Sequence, residues 1–361
     1  MHSYYYKDNL TALEAKFAAQ KLAFAPAAFQ TAKAMVDLHI LKAIEDSKND
    51  GLTIEAIIEK TGLSSYAVKL LMEFSLGLEL IKIVPNSEPQ AYVLGKTGYF
   101  LLNDELTKAN MNFINDVCYQ GFFYLQDSLK TGKPVGLKVF GDWDTIYQGL
   151  SALPEQVQKS WFAFDHYYSD SIFGAALPIV FKENPRHIMD IGSNTGKFTK
   201  AALSYNNEVL VTMVDLAPQI AMAQNNPELE AFKNRIESYP TNILNHDEQL
   251  PSNVDTVWMS QFLDCFSLEE IQNILKKIKR CVPSDCNIFV LEPLWDMQRF
   301  EAASYSIQAT SIYFAAMANG NSKMYSYSDL VGAIEAVGCT LVRAHHNLGI
   351  NSYSLLQFHV S

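Results

Sequence analysis

Asp190-Ile-Gly-Ser-Asn-Thr-Gly196 is the stretch on which the fold turns. The residues before it, His187 to Ile191, read as a strand, and those after it, Lys197 to Ser204, have helical spacing. Glycine at 192 and 196 lets the backbone turn tightly and approach a ligand with no Cβ in the way, and the following helix presents free N–H groups. Nineteen residues after Gly196, at the end of a second strand pattern, stands Asp215 in Met213-Val-Asp-Leu-Ala217. An acid there can accept both hydroxyls of a ribose.

Working outward, strand patterns recur at His187–Ile191, Glu208–Asp215, Ile236–Tyr239, Val254–Ser260, Asn287–Glu292, Thr340–His346 and Ser352–Val360, with helical stretches such as Lys197–Ser204 and Leu268–Lys279 between most of them. The alternation predicts an α/β Rossmann-like domain, a seven-stranded, mostly parallel sheet covered by helices on both faces. Dinucleotide binding is the rival for its loop. It usually wants G-x-G-x-x-G to seat a pyrophosphate, whereas this loop opens on an acid and has Asn194 in place of the middle glycine. S-adenosyl-L-methionine carries a sulfonium and an ammonium and no phosphate, so an acid before the loop suits it better.

Ahead of this domain, Ala27–Ser47 has helical spacing, Thr53 can cap a short helix Ile54–Lys60 ending at Thr61-Gly62, and a third helix spans Ser65–Gly77. Leu80–Val84 and Ala91–Leu94, separated by the turn-rich Pro85–Pro89, read as a hairpin, which completes an α-rich winged helix. From Met1 to Phe100 there are ten Lys and no Arg against eleven Asp plus Glu. Base reading leans on Arg and affinity on several phosphate contacts, so dimerisation is the better expectation than DNA binding. The expected division is a winged-helix dimerisation domain over 1–105, a helical connector lining the substrate pocket over 106–180 and the catalytic domain over 181–361. The connector is rich in aromatics, and Phe164-Asp-His-Tyr-Tyr-Ser169 mixes them with polar groups as a candidate pocket wall.

Composition narrows the partners. At 361 residues the chain exceeds what one core usually serves. A formal charge of -11 disfavours nucleic acid. No apolar run approaches the roughly 18 residues of a membrane span, so no membrane and no signal peptide are expected. Cys118, Cys265, Cys281, Cys286 and Cys339 are odd in number and scattered, which fits neither a disulfide framework nor a zinc site and points to a cytoplasmic, metal-free protein.

Taken together, the sequence resembles the S-adenosylmethionine-dependent O-methyltransferases that include the plant caffeate and the bacterial hydroxyindole and polyketide enzymes. The resemblance runs over nearly the whole chain: winged-helix dimerisation domain, helical connector and a loop of the pattern D-x-G-x-G-x-G. It implies S-adenosyl-L-methionine as cofactor, a small aromatic or polyketide-like hydroxyl as methyl acceptor and a homodimer. It places Asp190, Gly192, Asn194 and Gly196 in the cofactor loop and Asp215 on the ribose, with Leu216, Ile243 and Ser260 beside the cofactor. Asn242 falls where an acid usually sits near the adenine, and its amide can still accept a hydrogen bond from the amino group.

The catalytic signature departs from the pattern. Where the family reads roughly L-H-D-W-S-D-E, this chain has Leu263-Asp-Cys-Phe-Ser-Leu-Glu269. Asp264 stands in place of the general-base His, and Phe266 in place of the aromatic that packs on the cofactor. Glu292 matches the first of two acids that flank the family His, so Asp264 and Glu292 can share a proton and raise one pKa into a useful range. Alternatively Asp264 orients substrate or caps the helix at Ser267. His166 is a second candidate base, since imidazole titrates in the right range. The resemblance also implies acceptor contacts at Phe164, His166, Met317 and Asn319, with Tyr168 facing both cofactor and acceptor. Losing the His leaves C- or N-methylation open, and also a cofactor-binding regulator or non-catalytic homologue.

Overall fold

The computed structural model describes residues 5–169, 172–245 and 247–360, with the side chain of Ser169, the last member of the candidate pocket wall, outside the described set. The chain forms two compact units, one ending at Asn115 and the other beginning at Asp116.

In the first unit, β1 (Leu52–Thr53), β2 (Ile81–Ile83) and β3 (Ala91–Leu94) form an antiparallel sheet in the order β1-β3-β2 beside helices Ile54–Thr61 and Ser65–Gly77. This is the expected winged helix. Thr53 caps the first of these helices by accepting from Ala56 N at 3.3 Å, and Gly62, at φ +70°, ends it. The single helix expected over Ala27–Ser47 is two, Ala25–Asp37 and Ile40–Asp46. His39 takes φ +59° between them, and the break turns Ile40, Leu41 and Ile44 into a core with Met35, Ile57, Val68 and Met72. A further helix, Ala12–Ala23, starts at a capping box of Thr11 and Glu14, buries none of its residues and exposes Leu13, Phe17 and Leu22. Its weak amphipathic pattern gave no sequence signal.

The second unit is built on β4 (His187–Ile191), β5 (Leu210–Asp215), β6 (Ile236–Pro240), β7 (Thr256–Ser260), β8 (Asn287–Glu292), β9 (Cys339–Leu348) and β10 (Tyr353–Val360). They form one seven-stranded sheet in the order β6-β5-β4-β7-β8-β10-β9, parallel through β8, with β10 antiparallel to both its neighbours. This is the expected Rossmann-like sheet. The chain winds outward from β4 to β6 and then resumes at β7 on the other side. In such a sheet the crevice for a ligand opens at the carboxyl ends of the two strands where the winding reverses, here β4 and β7.

Helix Leu268–Cys281 packs Ile271, Ile274, Leu275 and Ile278 into the core on one face of the sheet. On the other, the Phe198 and Trp258 rings stack at 4.1 Å and Phe173 meets both edge-on. Phe173 opens helix Phe173–Val180, so this stretch, expected as connector, packs directly on the sheet and belongs to its compact unit.

Candidate functional site

The crevice begins with the loop after β4. Gly192 has φ +77°, and a Cβ there would lie 2.3 Å from the Phe262 ring, so only glycine lets this aromatic close on the loop. Asn194 takes φ +48°, a left-handed conformation that asparagine tolerates better than most residues, and Gly196 opens the next helix at φ +82°. Asp190 is buried and its Oδ2 accepts from Thr199 Oγ1 at 2.7 Å. Burial pushes its carboxyl up to about 7; the Thr199 hydrogen bond opposes this and the charge of Asp215 adds to it. At the end of β5, Asp215 accepts from Asn194 N at 2.8 Å and from Leu216 N at 2.7 Å. Burial raises its pKa too, against those two hydrogen bonds. Each of its oxygens keeps acceptor capacity for a further donor.

The segment 242–245, expected beside the adenine, is held by a residue that the sequence pattern did not reveal. Lys277, inside the Leu268–Cys281 helix, donates to Ile243 O at 2.9 Å and to Asn245 O. Ile243 is buried, whereas Asn242 is exposed and its Oδ1 accepts from Leu244 N at 3.0 Å, so that amide already serves the turn. Leu216 and Ser260 sit half-buried at the ends of β5 and β7, and the half-buried Phe266 ring meets Phe262 edge-on at 4.9 Å. These residues fit a cationic nucleoside cofactor: a buried carboxylate, a half-buried one at a strand end, and a backbone cradle that a Cβ at Gly192 would fill with steric clash.

The second half of the site centres on the short turn Leu263–Cys265. Glu292, buried at the end of β8, accepts with Oε1 from Phe262 N at 3.0 Å and Leu263 N at 2.9 Å. Its Oε2 is buried without a hydrogen-bond partner. Asp264 is buried beside it. Desolvation pushes the Asp264 carboxyl up to about 7, and the charge of Asp165 adds to the effect. Glu292 is raised well above the carboxylate range by burial first and by the charge of Asp264 second. The helix that follows is capped by Ser267 and Glu270 in a reciprocal box, so the capping role considered for Asp264 belongs to Ser267.

Around this pair stand Tyr147, which donates to Cys265 Sγ at 3.1 Å, and Tyr313, which accepts from Trp161 Nε1 at 2.8 Å. Phe164, His166 and Tyr168 lie on helix Glu155–Ser169, the Phe164 and Tyr168 rings 4.9 Å apart and the His166 ring 5.8 Å from Phe162. Asn319 donates to Cys265 O and to Ser322 Oγ, so its amide braces the turn Leu263–Cys265. Met317 is fully buried, and a Cβ at Gly121 would lie 1.9 Å from its sulfur. Its thioether packs against Gly121. Tyr353, fully buried on β10, went unnoticed in sequence because its strand gave only a hydrophobic pattern.

A family model for the O-methyltransferase domain matches residues 125–334, and one for a Dimerisation2-like domain matches residues 16–87. The chain belongs to the O-methyltransferase domain family. It is an S-adenosylmethionine-dependent methyltransferase carrying an N-terminal dimerisation domain. The L-tyrosine C(3)-methyltransferase of Streptomyces lavendulae is 21% identical over 319 residues, which cover 87% of this chain and 84% of that protein. Among solved structures, the S-adenosylmethionine-dependent methyltransferase SibL in its apo form is similar at a TM-score of 0.71 and 18% identity, covering 95% of this chain and 98% of that one. An O-methyltransferase from neocarzinostatin biosynthesis, in complex with S-adenosylmethionine and 2-hydroxy-5-methyl naphthoic acid, is similar at 0.67 and 15% identity, covering 93% and 96%. No described helix of this methyltransferase is long and apolar enough to cross a membrane.

Proposed function

We propose that this methyltransferase methylates the hydroxyl of a small aromatic or polyketide-like acceptor, with Asp264 as the general base and Glu292 as its partner. The observation that carries this is the buried pair itself, which stands where the family places its base. When bound, the cofactor supplies an activated methyl group on a sulfonium. Asp190, the Gly192–Gly196 loop, Asp215, Leu216 and Ile243 hold it, and Phe262 and Phe266 close over that end of the crevice.

Burial brings the Asp264 carboxyl to about 7, so near neutral pH it is available to accept a phenolic proton, and its basicity is far above that of an exposed aspartate. Glu292 keeps the turn in place through Oε1, and burial beside the Asp264 charge holds its carboxyl well above the usual range, so the two acids are suited to share one proton. Positioning and exclusion of water supply the rest, since methyl transfer is an in-line displacement at an already activated carbon. Phe164 and Tyr168 form the aromatic wall for the acceptor ring. His166, on the same helix, is the alternative base.

The curated relative that methylates a tyrosine ring carbon favours one second reading, transfer to a carbon beside a phenol. The same base serves it, because removing the phenolic proton enriches that carbon. We place the enzyme in the cytoplasm as a homodimer joined through its dimerisation domain, a role to which the exposed apolar side chains of Ala12–Ala23 lend support. An acceptor screen read by S-adenosylhomocysteine release, with product mass and position analysis, tests the reading. A methylated oxygen is expected; turnover on no phenol or hydroxyl in a broad panel would overturn it.

A further inference from the structure

The turn Leu263–Cys265 departs from the family pattern at two neighbouring positions, and the structure couples them. Asp264 stands where the pattern has histidine, and Cys265 where it has an acid. An acid at 265 would repel the charge of Asp264, whereas a thiol is neutral and offers a donor. Cys265 uses that donor: its Sγ donates to Asp264 Oδ1 at 3.5 Å. The same sulfur accepts from the Tyr147 hydroxyl at 3.1 Å. Tyr147 comes from helix Ile146–Gly149, remote from the turn in sequence. The Cys265 carbonyl is held separately by the Asn319 amide, which also exchanges hydrogen bonds with Ser322. The thiol is thus aimed at the carboxylate from both its ends.

Both donors keep their protons. Desolvation holds the Tyr147 phenol and the Cys265 thiol well above their ordinary values, and the charge of Asp264 adds to both. Other titratable groups face Asp264: Glu292 from β8, Asp165 from helix Glu155–Ser169, Tyr325 and, from β10, Tyr353. Burial and the Asp165 charge favour the protonated form of Asp264, and the thiol hydrogen bond opposes them. A base in so dry a site is useful only if something lets it ionise at working pH.

Resting on the assignment of Asp264 as the base, we propose that Cys265 and Tyr147 are positioning residues for it, a two-step hydrogen-bond relay that fixes Oδ1 and moderates the basicity of the carboxylate. No proton moves along it. A donor on the sulfur draws electron density from the S–H bond and makes the thiol a better donor, so the two hydrogen bonds strengthen one another.

The S–H stretching band of Cys265 reads this relay in the full-length protein without acceptor or cofactor. Subtracting the infrared spectrum of Cys265→Ser, which loses the thiol and keeps a side chain of similar size, isolates it from the bands of Cys118, Cys281, Cys286 and Cys339. Ionised Asp264 is the stronger acceptor, so the band should move to lower frequency as pH rises, with a midpoint at about 7. Asp264→Asn should abolish that movement. Tyr147→Phe should shift the band to higher frequency and raise the midpoint by about half a pH unit, a fraction of one modest hydrogen bond. A band that ignores pH, one that titrates alike in Asp264→Asn, or one unmoved in Tyr147→Phe would overturn the relay. The wild-type titration decides the Cys265–Asp264 step even where a variant does not fold. A band that titrates in the ordinary aspartate range would leave the relay standing and count instead against Asp264 as the base.

Discussion

The two halves of the crevice handle buried carboxylates in opposite ways. On the cofactor side, the buried Asp190 and the half-buried Asp215 are bonded, the first to Thr199 and the second to two backbone N–H groups. On the acceptor side, Asp264 meets the Cys265 thiol at 3.5 Å and the backbone of its own turn, and Oε2 of Glu292 is buried without a hydrogen-bond partner. A site that binds the same molecule in every turnover can be preorganised by its own backbone. A site that must admit a variable partner leaves acceptor capacity that its own backbone does not fill, although burial makes Asp190 and Asp264 equally basic.

The sharpest way to break this contrast is to neutralise the basic acid. Asp264→Asn should lower turnover on the best acceptor by roughly 100-fold or more and leave S-adenosylhomocysteine affinity nearly intact. A change confined to the Michaelis constant would make Asp264 an orienting group. His166→Ala should stay within about threefold in turnover; a large loss there beside a silent Asp264→Asn would move the base to the helix.

On the bonded side the effect should fall on binding. Asp215→Ala is expected to weaken S-adenosylhomocysteine by about 2 kcal/mol in calorimetry, the scale of a lost charge-assisted hydrogen bond, with turnover at saturation little changed. Gly192→Ala should cost about 1–3 kcal/mol of stability in denaturant unfolding, because its φ of +77° and the Phe262 ring at 2.3 Å both oppose a methyl group.

Why one half was legible in sequence follows from the same contrast. Gly192, Asn194, Gly196 and Asp215 are bound by backbone conformation and strand ends, which leave a local, ordered signature. The sheet followed from strand patterns, although β9 runs from Cys339 to Leu348, beyond the segment read at Thr340–His346. The proposed acceptor half draws on distant segments, the turn Leu263–Cys265 and the end of β8, and only three-dimensional packing brings Glu292 Oε1 to the backbone of Phe262 and Leu263. The same holds for Lys277, whose ammonium reaches back to the 243–245 backbone. His39 illustrates the local limit: its left-handed φ broke a helix that periodicity alone would continue.

Protonation gives the smallest and broadest test. Asp190 and Asp264 move from an ordinary 3.8 to about 7 on folding, so between those values the folded chain holds protons that the unfolded chain has lost. Their stabilising contribution is complete below the unfolded pKa and disappears as pH rises through 7. Melting temperature without cofactor should therefore fall from pH 5 to pH 8, and Asp264→Asn should flatten the slope. The turnover of the wild type should rise over the same interval, and a rising limb that survives in Asp264→Asn would assign it to another group.

Because Glu292 Oε1 grips the backbone N–H groups of Phe262 and Leu263, and Ser267 with Glu270 fixes the helix start, both flanks of the turn are held by groups other than the side chain at 264. The position is a socket. An ancestral chain could exchange one proton acceptor for another there without refolding its surroundings, and an engineer can do the same: Asp264→His would test a different basicity on an unaltered frame. On the proposed reading, such an exchange of base would be confined to chemistry and insulated from architecture.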